Sequence, residues 1–161
     1  MTVEEAIEAA LFGAVHDLVA FDAAHKAWPN VVFNPPAGEA YLRVSLLPNS
    51  GQRFFMNGYN PHLYLGILQL TVVAPLNAGS SEATRLAGEV AIEFPADRTF
   101  YESGINVRIE RAPDVGQAFP VDASWNVPVS VRYDCIASQS LGGNGQLDFS
   151  LADNSQYIPL I

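Results

Sequence analysis

Apolar residues recur at helical spacing near the amino terminus of the chain. Thr2 and Glu5 form a capping box, in which each side chain accepts a hydrogen bond from the backbone N–H of the other residue. The apolar stripe that follows is Val3, Ile7, Leu11, Ala14, Val15 and Leu18. This pattern predicts a helix that begins at residue 3 and leaves Glu4, Glu8 and Asp17 largely off its buried side.

Four later segments alternate between apolar and polar residues with a period of two. They lie at Tyr41–Leu47, Leu63–Val73, Ile105–Glu110 and Val127–Tyr133. Such alternation gives each strand one apolar and one polar face, which is typical of an antiparallel sheet covered on one side only. Pro128 cannot donate a hydrogen bond to a neighbouring strand, so we expect its strand to lie at a sheet edge or to begin there.

A second helix is predicted between these strands, over Ser81–Phe94, with Ser80 or Ser81 as its N-cap and Pro95 as its stop. Its apolar stripe is Ala83, Leu86, Ala87 and Val90. Two amphipathic helices suffice to cover the apolar face of four strands. The chain is therefore predicted to be a single α+β domain over residues 1–161, a two-layer sandwich with two helices packed on one face of a mostly antiparallel sheet of four or more strands.

The remaining segments are rich in proline, glycine and asparagine. Trp28–Gly38 is predicted to be a connection with a short strand at Val31–Phe33, and residues 101–104 are predicted to form a hairpin turn. Residues from about 137 to 145 are predicted to be a flexible connection to a last short strand at Gln146–Leu151.

The composition agrees with one domain and limits its chemistry. A chain of 161 residues with 49% hydrophobic residues can build a core without disulfides or metal. The single cysteine, Cys135, excludes an intrachain disulfide and a zinc site built on two or more thiolates. The first twenty residues carry acids where a signal peptide needs basic residues, and no apolar run reaches the roughly 18 residues of a membrane span. We expect no export by the general route and no membrane partner.

The charge is sparse and acidic. Charged residues make up 16% of the chain, against a usual fraction of about 25%, and the net charge is −9. Because an acidic chain lacks the basic surface of a nucleic-acid-binding protein, stable binding of DNA or RNA is disfavoured. Solubility is the simplest role for this charge.

The residues that carry catalysis in other proteins are few here. They are His16, His25, His62 and Cys135. Asp22 lies three residues before His25, but no second pair of metal ligands accompanies them at a known spacing. Cys135 follows the alternation of its strand and is expected to be a small buried residue. Gly142, Gly143 and Gly145 lack the Lys-Ser/Thr of a phosphate-binding loop. The sequence therefore predicts no catalytic residue, no cofactor and no metal.

Two surfaces have the composition of protein interfaces. The first is Gln52–His62, which carries Arg53, Phe54, Phe55, Met56 and Tyr59. Aromatic residues, Met and Arg are enriched in interface cores, although an ordinary hairpin that packs its aromatics inward explains the segment equally well.

The second surface is the polar face of the sheet, with Arg43, Arg108 and Arg132. On an acidic protein this face is suited to dock on the Glu4, Glu5 and Glu8 side of the first helix of another copy. A contact between two different surfaces is heterologous and builds a ring if its rotation closes. A solvated sheet face with scattered charges is the alternative.

Four segments carry a resemblance to a known family. They are GEAYLRVSLLPNSG (38–51), GILQLTVVAPLNAGSSEATRLAGEVAIEFP (66–95), GINVRI (104–109) and WNVPVSVRY (125–133). In this order, over residues 1–135, they resemble the tail terminator proteins of long-tailed bacteriophages, and more narrowly a prophage-encoded group of tail-completion proteins. The segment 52–62 and the residues beyond Cys135 match no pattern of the family.

The resemblance implies an α+β protein that forms a hexameric ring, caps the tail tube, ends its polymerisation and presents a surface for head–tail joining. The implied partners are further copies of the chain, the tail tube protein and the head–tail connector. The implied location is the virion, at the head–tail junction, after assembly in the host cytoplasm. The family has no catalytic motif, which favours a structural protein over an enzyme. If acidic side chains line the bore of the ring, passing DNA is repelled rather than bound.

Two other functions stay open at this point. One is a monomeric adaptor that binds another protein through Phe54–Tyr59. The other is a small acidic ligand-binding domain or enzyme, with His25 or His62 as the polar centre of a pocket between helices and sheet.

Overall fold

The computed structural model describes residues 1–56 and 61–139, in which two helices lie against one sheet. The helices are α1 (Val3–His16) and α2 (Ser81–Ile92). The strands are β1 (Lys26–Ala27), β2 (Tyr41–Pro48), β3 (Gln52–Arg53), β4 (His62–Pro75), β5 (Thr99–Glu102), β6 (Ile105–Ile109), β7 (Asp114–Val115), β8 (Phe119–Val121) and β9 (Ser124–Ala137).

Helix α1 begins where the capping box predicts. The Thr2 hydroxyl accepts from the Glu5 amide at 3.2 Å, and the Glu5 carboxylate accepts from the Thr2 amide at 2.7 Å. Of the predicted stripe, Ala14 is half-buried and the other five residues are buried. The prediction of this helix is confirmed.

The two longest strands form the centre of the sheet. β4 and β9 pair antiparallel over fourteen residues each, from His62 opposite Ala137 to Pro75 opposite Ser124. The full order is β1-β2-β4-β9-β6-β5, with β3 beside β4, and β7 and β8 beside β9. All pairs are antiparallel except the two-residue contact between β1 and β2. The predicted α+β class with a mostly antiparallel sheet is confirmed.

The core lies between the helices and one face of the sheet. Neighbouring strands contribute rows of apolar residues, such as Leu42, Val72 and Val127, which lie side by side across β2, β4 and β9. The stripe predicted for α2 packs into the same core, as does the buried side of α1. Both helices therefore cover one face, as the two-layer prediction requires.

Pro128 lies in the middle of the sheet, so the prediction of an edge position was wrong. β9 pairs with β4 on one side, where Pro128 is opposite Thr71, and with β7 and β8 on the other. The Pro128 carbonyl accepts a hydrogen bond from the Gly116 amide at 2.8 Å. Because the backbone nitrogen and oxygen of a strand residue point to the same side of the strand, the Pro128 nitrogen points toward Gly116 as well. The proline nitrogen thus faces the gap where β7 ends at Val115 and β8 begins at Phe119. The missing N–H deprives no neighbouring strand of a bond.

Several boundaries differ from the predictions. Residues 31–33, all described, form no strand, and the edge position is taken by β1 instead. Tyr101 and Glu102 belong to β5, so the hairpin turn is only Ser103 and Gly104, both with the positive φ that a type I′ turn requires. Helix α2 ends at Ile92, two residues before the predicted end. The predicted connection beyond residue 139, its glycine-rich loop and the last strand at 146–151 lie outside the described residues.

The pairing of Gly66 with Tyr133 generates a test of the core. A Cβ on Gly66 would lie 2.3 Å from the Tyr133 hydroxyl oxygen and 2.5 Å from Cζ, and the buried ring has no room to retreat. We expect Gly66→Ala to lower the free energy of unfolding by about 1–3 kcal/mol through overpacking. Urea denaturation followed by circular dichroism measures the change.

Gly13→Ala is the matched control for this substitution. A Cβ at Gly13, inside α1, would meet nothing within 4 Å. Removing a glycine from a helix interior should stabilise the protein by roughly 0.5–1 kcal/mol. An unchanged urea midpoint for Gly66→Ala would show that Tyr133 does not lie across this position.

Candidate functional site

Three arginines lie on the sheet face that points away from the helices. Arg43 is opposite Thr71, Arg132 is opposite Ile67, and Arg108 is opposite Asp134. Because strand residues alternate between faces, all three share the side opposite the core. The sequence placed them on this face by the same alternation.

Arg108 is neutralised within its own subunit. Its Nε donates to Asp134 Oδ1 at 3.1 Å, its Nη2 donates to Asp134 Oδ2 at 2.5 Å, and its Nη1 lies 3.3 Å from Asp97. The hydrogen bond and charge of Asp134 raise the pKa of the guanidinium. This arginine holds β6 to β9 and has little charge left for a partner.

Arg43 and Arg132 are exposed and differ from Arg108 in their surroundings. Among the described residues, the Arg43 guanidinium donates only to the Tyr41 hydroxyl, at 3.5 Å. Among residues 1–56 and 61–139, no carboxylate lies within ion-pair distance of either guanidinium. These two cations are therefore the ones that the sheet face offers to another molecule.

The acidic residues of α1 lie on a different surface of the molecule. Glu4 and Glu8 are exposed. Glu4 lies near β4, where its charge adds to burial in raising the pKa of Tyr64. Glu5 is committed to the capping box, and its hydrogen bond with the Thr2 amide holds the pKa of its carboxyl below the ordinary value. Of the three predicted acidic residues, Glu4 and Glu8 therefore take no part in the cap and can interact with another molecule.

The sheet face also has an apolar region that the sequence analysis missed. Leu47 and Ile136 are exposed, and Leu65 and Ile67 are half-buried beside them. A depression of about 370 Å³ lies here, between the end of β2 and Arg132. The sequence of β4 contains a signal for this region. Apart from Gly66, residues 63–68 are apolar at both odd and even positions, whereas a strand with one buried face needs apolar residues only at every second position.

The segment that follows β3 presents its large apolar residues to solvent. Phe54 is 56% exposed, Phe55 48% and Met56 98%. Arg53 Nε donates to the Phe55 carbonyl at 2.8 Å, and its Nη2 donates to the Met56 carbonyl. Arg53 therefore shapes this apolar tip, residues 53–56. The exposure favours an interface over an inward-packed hairpin, and Tyr59 lies outside the described residues.

His25 lies in a cleft of about 330 Å³ between α2 and the end of β4. Its Nε2 is 2.7 Å from Glu39 Oε2, and the lining residues include Asp22 and Glu82 but no hydroxyl, thiol or amine side chain. Across the two described ranges, no three His, Cys, Asp or Glu residues are grouped to hold a metal ion. His62 lies on β4 away from this cleft, paired in register with Ala137.

Lys26 is a structural residue that sequence reasoning did not find. Its side chain is buried, and Nζ donates to the carbonyls of His16 at 2.7 Å and Leu18 at 3.1 Å. Burial lowers the pKa of its ammonium, while Asp17 and Asp22 counteract this effect. The lysine caps the last turn of α1 and ties it to β1. Nothing local in the sequence marks it, because its partners are backbone carbonyls.

The comparisons with known proteins decide the family. A family model described as phage tail terminator protein matches residues 6–133. The chain belongs to the phage tail terminator family. One solved structure is similar to it at 30% identity and a TM-score of 0.66, with 82% of this chain and 94% of that chain covered. No curated protein matches the chain.

Family membership makes this terminator a structural component of the phage tail, and thus of the virion. The family is not one of enzymes. Neither described helix has the length and apolar character needed to cross a membrane.

The buried end of β9 generates a prediction on pH. Burial and the charge of Asp134 raise the pKa of Cys135 from 9.0 to about 11, and burial raises the pKa of Tyr133 from 10.0 to about 12. Both groups bind protons more tightly in the folded terminator. The stability that each protonated group contributes is fully present below its pKa in the unfolded chain. It is lost as the pH rises through its pKa in the folded protein. We expect the free energy of unfolding to fall by roughly 3 kcal/mol between pH 9 and 11, more than half of it through Cys135.

Urea denaturation at a series of pH values measures this loss. Cys135→Ala should remove most of the loss between pH 9 and 10, because Cys135 has the lower pKa in the unfolded chain and accounts for most of the change in that range. A wild-type curve that stays flat to pH 11 would show that neither group is buried as described.

Proposed function

We propose that the protein caps the phage tail tube as a homo-hexameric ring, ends tube polymerisation and provides the surface to which the head–tail connector joins. It assembles in the host cytoplasm and remains at the head–tail junction of the virion. Membership of the terminator family supports a role in the tail. The observation that carries the ring is the charge on two different surfaces of the subunit, with Arg43 and Arg132 on the sheet and Glu4 and Glu8 on α1.

Two different, complementary faces favour association of the head-to-tail kind. A two-fold dimer uses the same patch on both subunits. When the arginine face of one subunit contacts the glutamate face of another, the pair still has one free arginine face and one free glutamate face. Each added subunit repeats the contact until the ring closes. With a net charge of −9, copies of the chain repel one another at a distance. A contact that places arginines against glutamates is attractive in only one relative orientation of the two subunits.

The apolar tip is suited to a different contact. β3 pairs with β4 at Leu63 and His62, beyond the end of β2, so residues 53–56 project from one end of the sheet rather than from either charged face. Subunits that associate through their faces leave this end free. We assign the tip to the tail tube, with its aromatic residues and Met56 as anchors. The adaptor hypothesis used the same residues, and here they serve within a ring.

The net negative charge suits the passage of DNA through such a ring. A subunit at −9 offers no basic groove, so nucleic acid passes without stable binding. This proposal requires that Arg43 and Arg132 lie in contacts between subunits and not in the bore.

Charge reversal tests the ring contact. We expect wild-type protein to reach a native mass of roughly 104 kDa, six times 17.4 kDa, as the concentration rises. Arg132→Glu should weaken association at least about tenfold, because it opposes like charges across the contact. Sedimentation velocity over a concentration series measures the shift.

Combining Arg132→Glu with Glu8→Arg should restore association. Arg111→Glu is the control, because it makes the same charge change at an exposed arginine that is already paired within the subunit, with Asp114. Equal association of Arg132→Glu and wild type would contradict the charged contact while leaving a role in the tail intact.

Binding to purified tail tubes tests the tip. Replacing Phe55 and Met56 with serine removes exposed apolar area and no packing of the core, so the fold and the native mass should be unchanged. Co-sedimentation with tubes should fall by about tenfold or more. Val32→Ser, a change at an equally exposed valine away from the tip, is the matched control. Full binding by the doubly substituted protein would remove the tip from the tube contact.

A further inference from the structure

The sulfur-containing residues of the chain differ in their access to solvent. The sequence has two methionines and one cysteine. Cys135 is buried, whereas Met1 is 63% exposed and Met56 is 98% exposed. Met56 lies in the apolar tip, and Met1 precedes α1. A small reagent in solution therefore reaches the sulfur atom of the tip most easily.

Cys135 is protected against oxidation for two reasons. Its side chain is buried, and burial together with the charge of Asp134 raises the pKa of its thiol to about 11. Because the thiolate is the reactive form of cysteine, a buried thiol with a raised pKa reacts slowly near neutral pH. The thioether of methionine has no proton to lose, so its exposure controls its reaction.

Met56 is the most exposed of the three apolar side chains of the tip, since Phe54 and Phe55 are each about half exposed. Arg53 Nε and Nη2 donate to the backbone carbonyls of Phe55 and Met56, and neither bond uses the thioether. A partner that covers the tip thus buries the Met56 side chain along with the phenylalanine rings.

We propose that Met56 is an oxidation site at which peroxide controls the binding of the tip to the tail tube. The proposal rests on the proposed role of the tip in that contact. A lone pair of Met56 Sδ attacks one oxygen atom of hydrogen peroxide, an S–O bond forms and the O–O bond breaks. The leaving hydroxide takes the proton of the transferred oxygen, so the products are methionine sulfoxide and water. The sulfur atom loses two electrons and the peroxide gains them.

Oxidation changes this side chain of the tip from apolar to polar. The sulfoxide oxygen is a strong hydrogen-bond acceptor, and burying it without a donor costs free energy that burial of the thioether does not cost. In the proposed ring every subunit presents the same tip, so oxidation weakens each of the contacts that together bind the tube. Enzymes that reduce methionine sulfoxide at the expense of a dithiol restore the thioether, which makes the change reversible.

Treatment of the full-length protein with dilute hydrogen peroxide tests the site and its effect. Peptide mapping by mass spectrometry should show that Met56 gains one oxygen atom at least about tenfold faster than Cys135. Co-sedimentation of the oxidised protein with purified tail tubes should fall by about tenfold or more. The native mass should stay unchanged, because the proposed contact between subunits consists of arginines and glutamates.

Met56→Leu is the matched control. Leucine has a similar volume and apolar character, and it has no sulfur atom for peroxide to oxidise. This variant retains Met1 and Cys135, so any effect of their oxidation remains in it. It should bind tubes as wild type does, both before and after treatment.

Two further measurements separate the sulfoxide from general damage by peroxide. Met56→Gln places a polar side chain at the tip and should bind tubes at least about tenfold more weakly than Met56→Leu without any treatment. Incubation of the oxidised wild type with both classes of methionine sulfoxide reductase and dithiothreitol should restore its binding.

Three results would each overturn the proposal. They are oxidation of Met56 no faster than that of Cys135, full tube binding by protein whose Met56 is oxidised, and an equal loss of binding by treated Met56→Leu. Each of them leaves the tip assignment to the serine substitutions at Phe55 and Met56 in untreated protein. Full binding by that untreated variant would instead overturn the tip assignment, and with it the proposal that rests on it.

Discussion

The antiparallel pairing of β4 with β9 is the constraint on which the rest of the structure depends. Over fourteen residue pairs it assigns every side chain of the two strands to one face or the other. A slip of one residue would move Leu68, Leu70 and Val131 from the core to solvent, so the apolar pattern holds the register. The close fit of Tyr133 across Gly66 adds a steric restraint at one position. Helices on one face and arginines on the other follow from this one register.

The same register determines which charges are available for association. Arg108 and Asp134 lie 26 residues apart in sequence and meet only because β6 pairs with β9. Their ion pair removes one cation from the sheet face and leaves Arg43 and Arg132. The remaining cations are few, and they stand on a chain with a net charge of −9. In the proposed contact, attraction between copies is therefore confined to a small part of the surface, which would make it directional.

Local patterns predicted the parts of this fold that local physics controls. The capping box of α1, the stripe of α2 and the four alternating strands depend on residues a few positions apart. The central position of Pro128 and the burial of Lys26 depend on which distant segments lie beside them, which alternation does not encode. The sheet face with Arg43, Arg108 and Arg132 was predicted from the same alternation that predicted the strands. Their division into paired and unpaired arginines, the exposure of the tip and the apolar region around Leu47 required the tertiary structure.

The separation of the charged faces from the tip matters for a terminator built as proposed. If copies associate through the two charged faces, every subunit has the same orientation around the ring, so all tips project from the same rim. A rim of six identical apolar tips would bind a tube end multivalently, and weak contacts at single tips would then add to a tight cap. The tip then needs little affinity of its own, which agrees with its small size of about four residues.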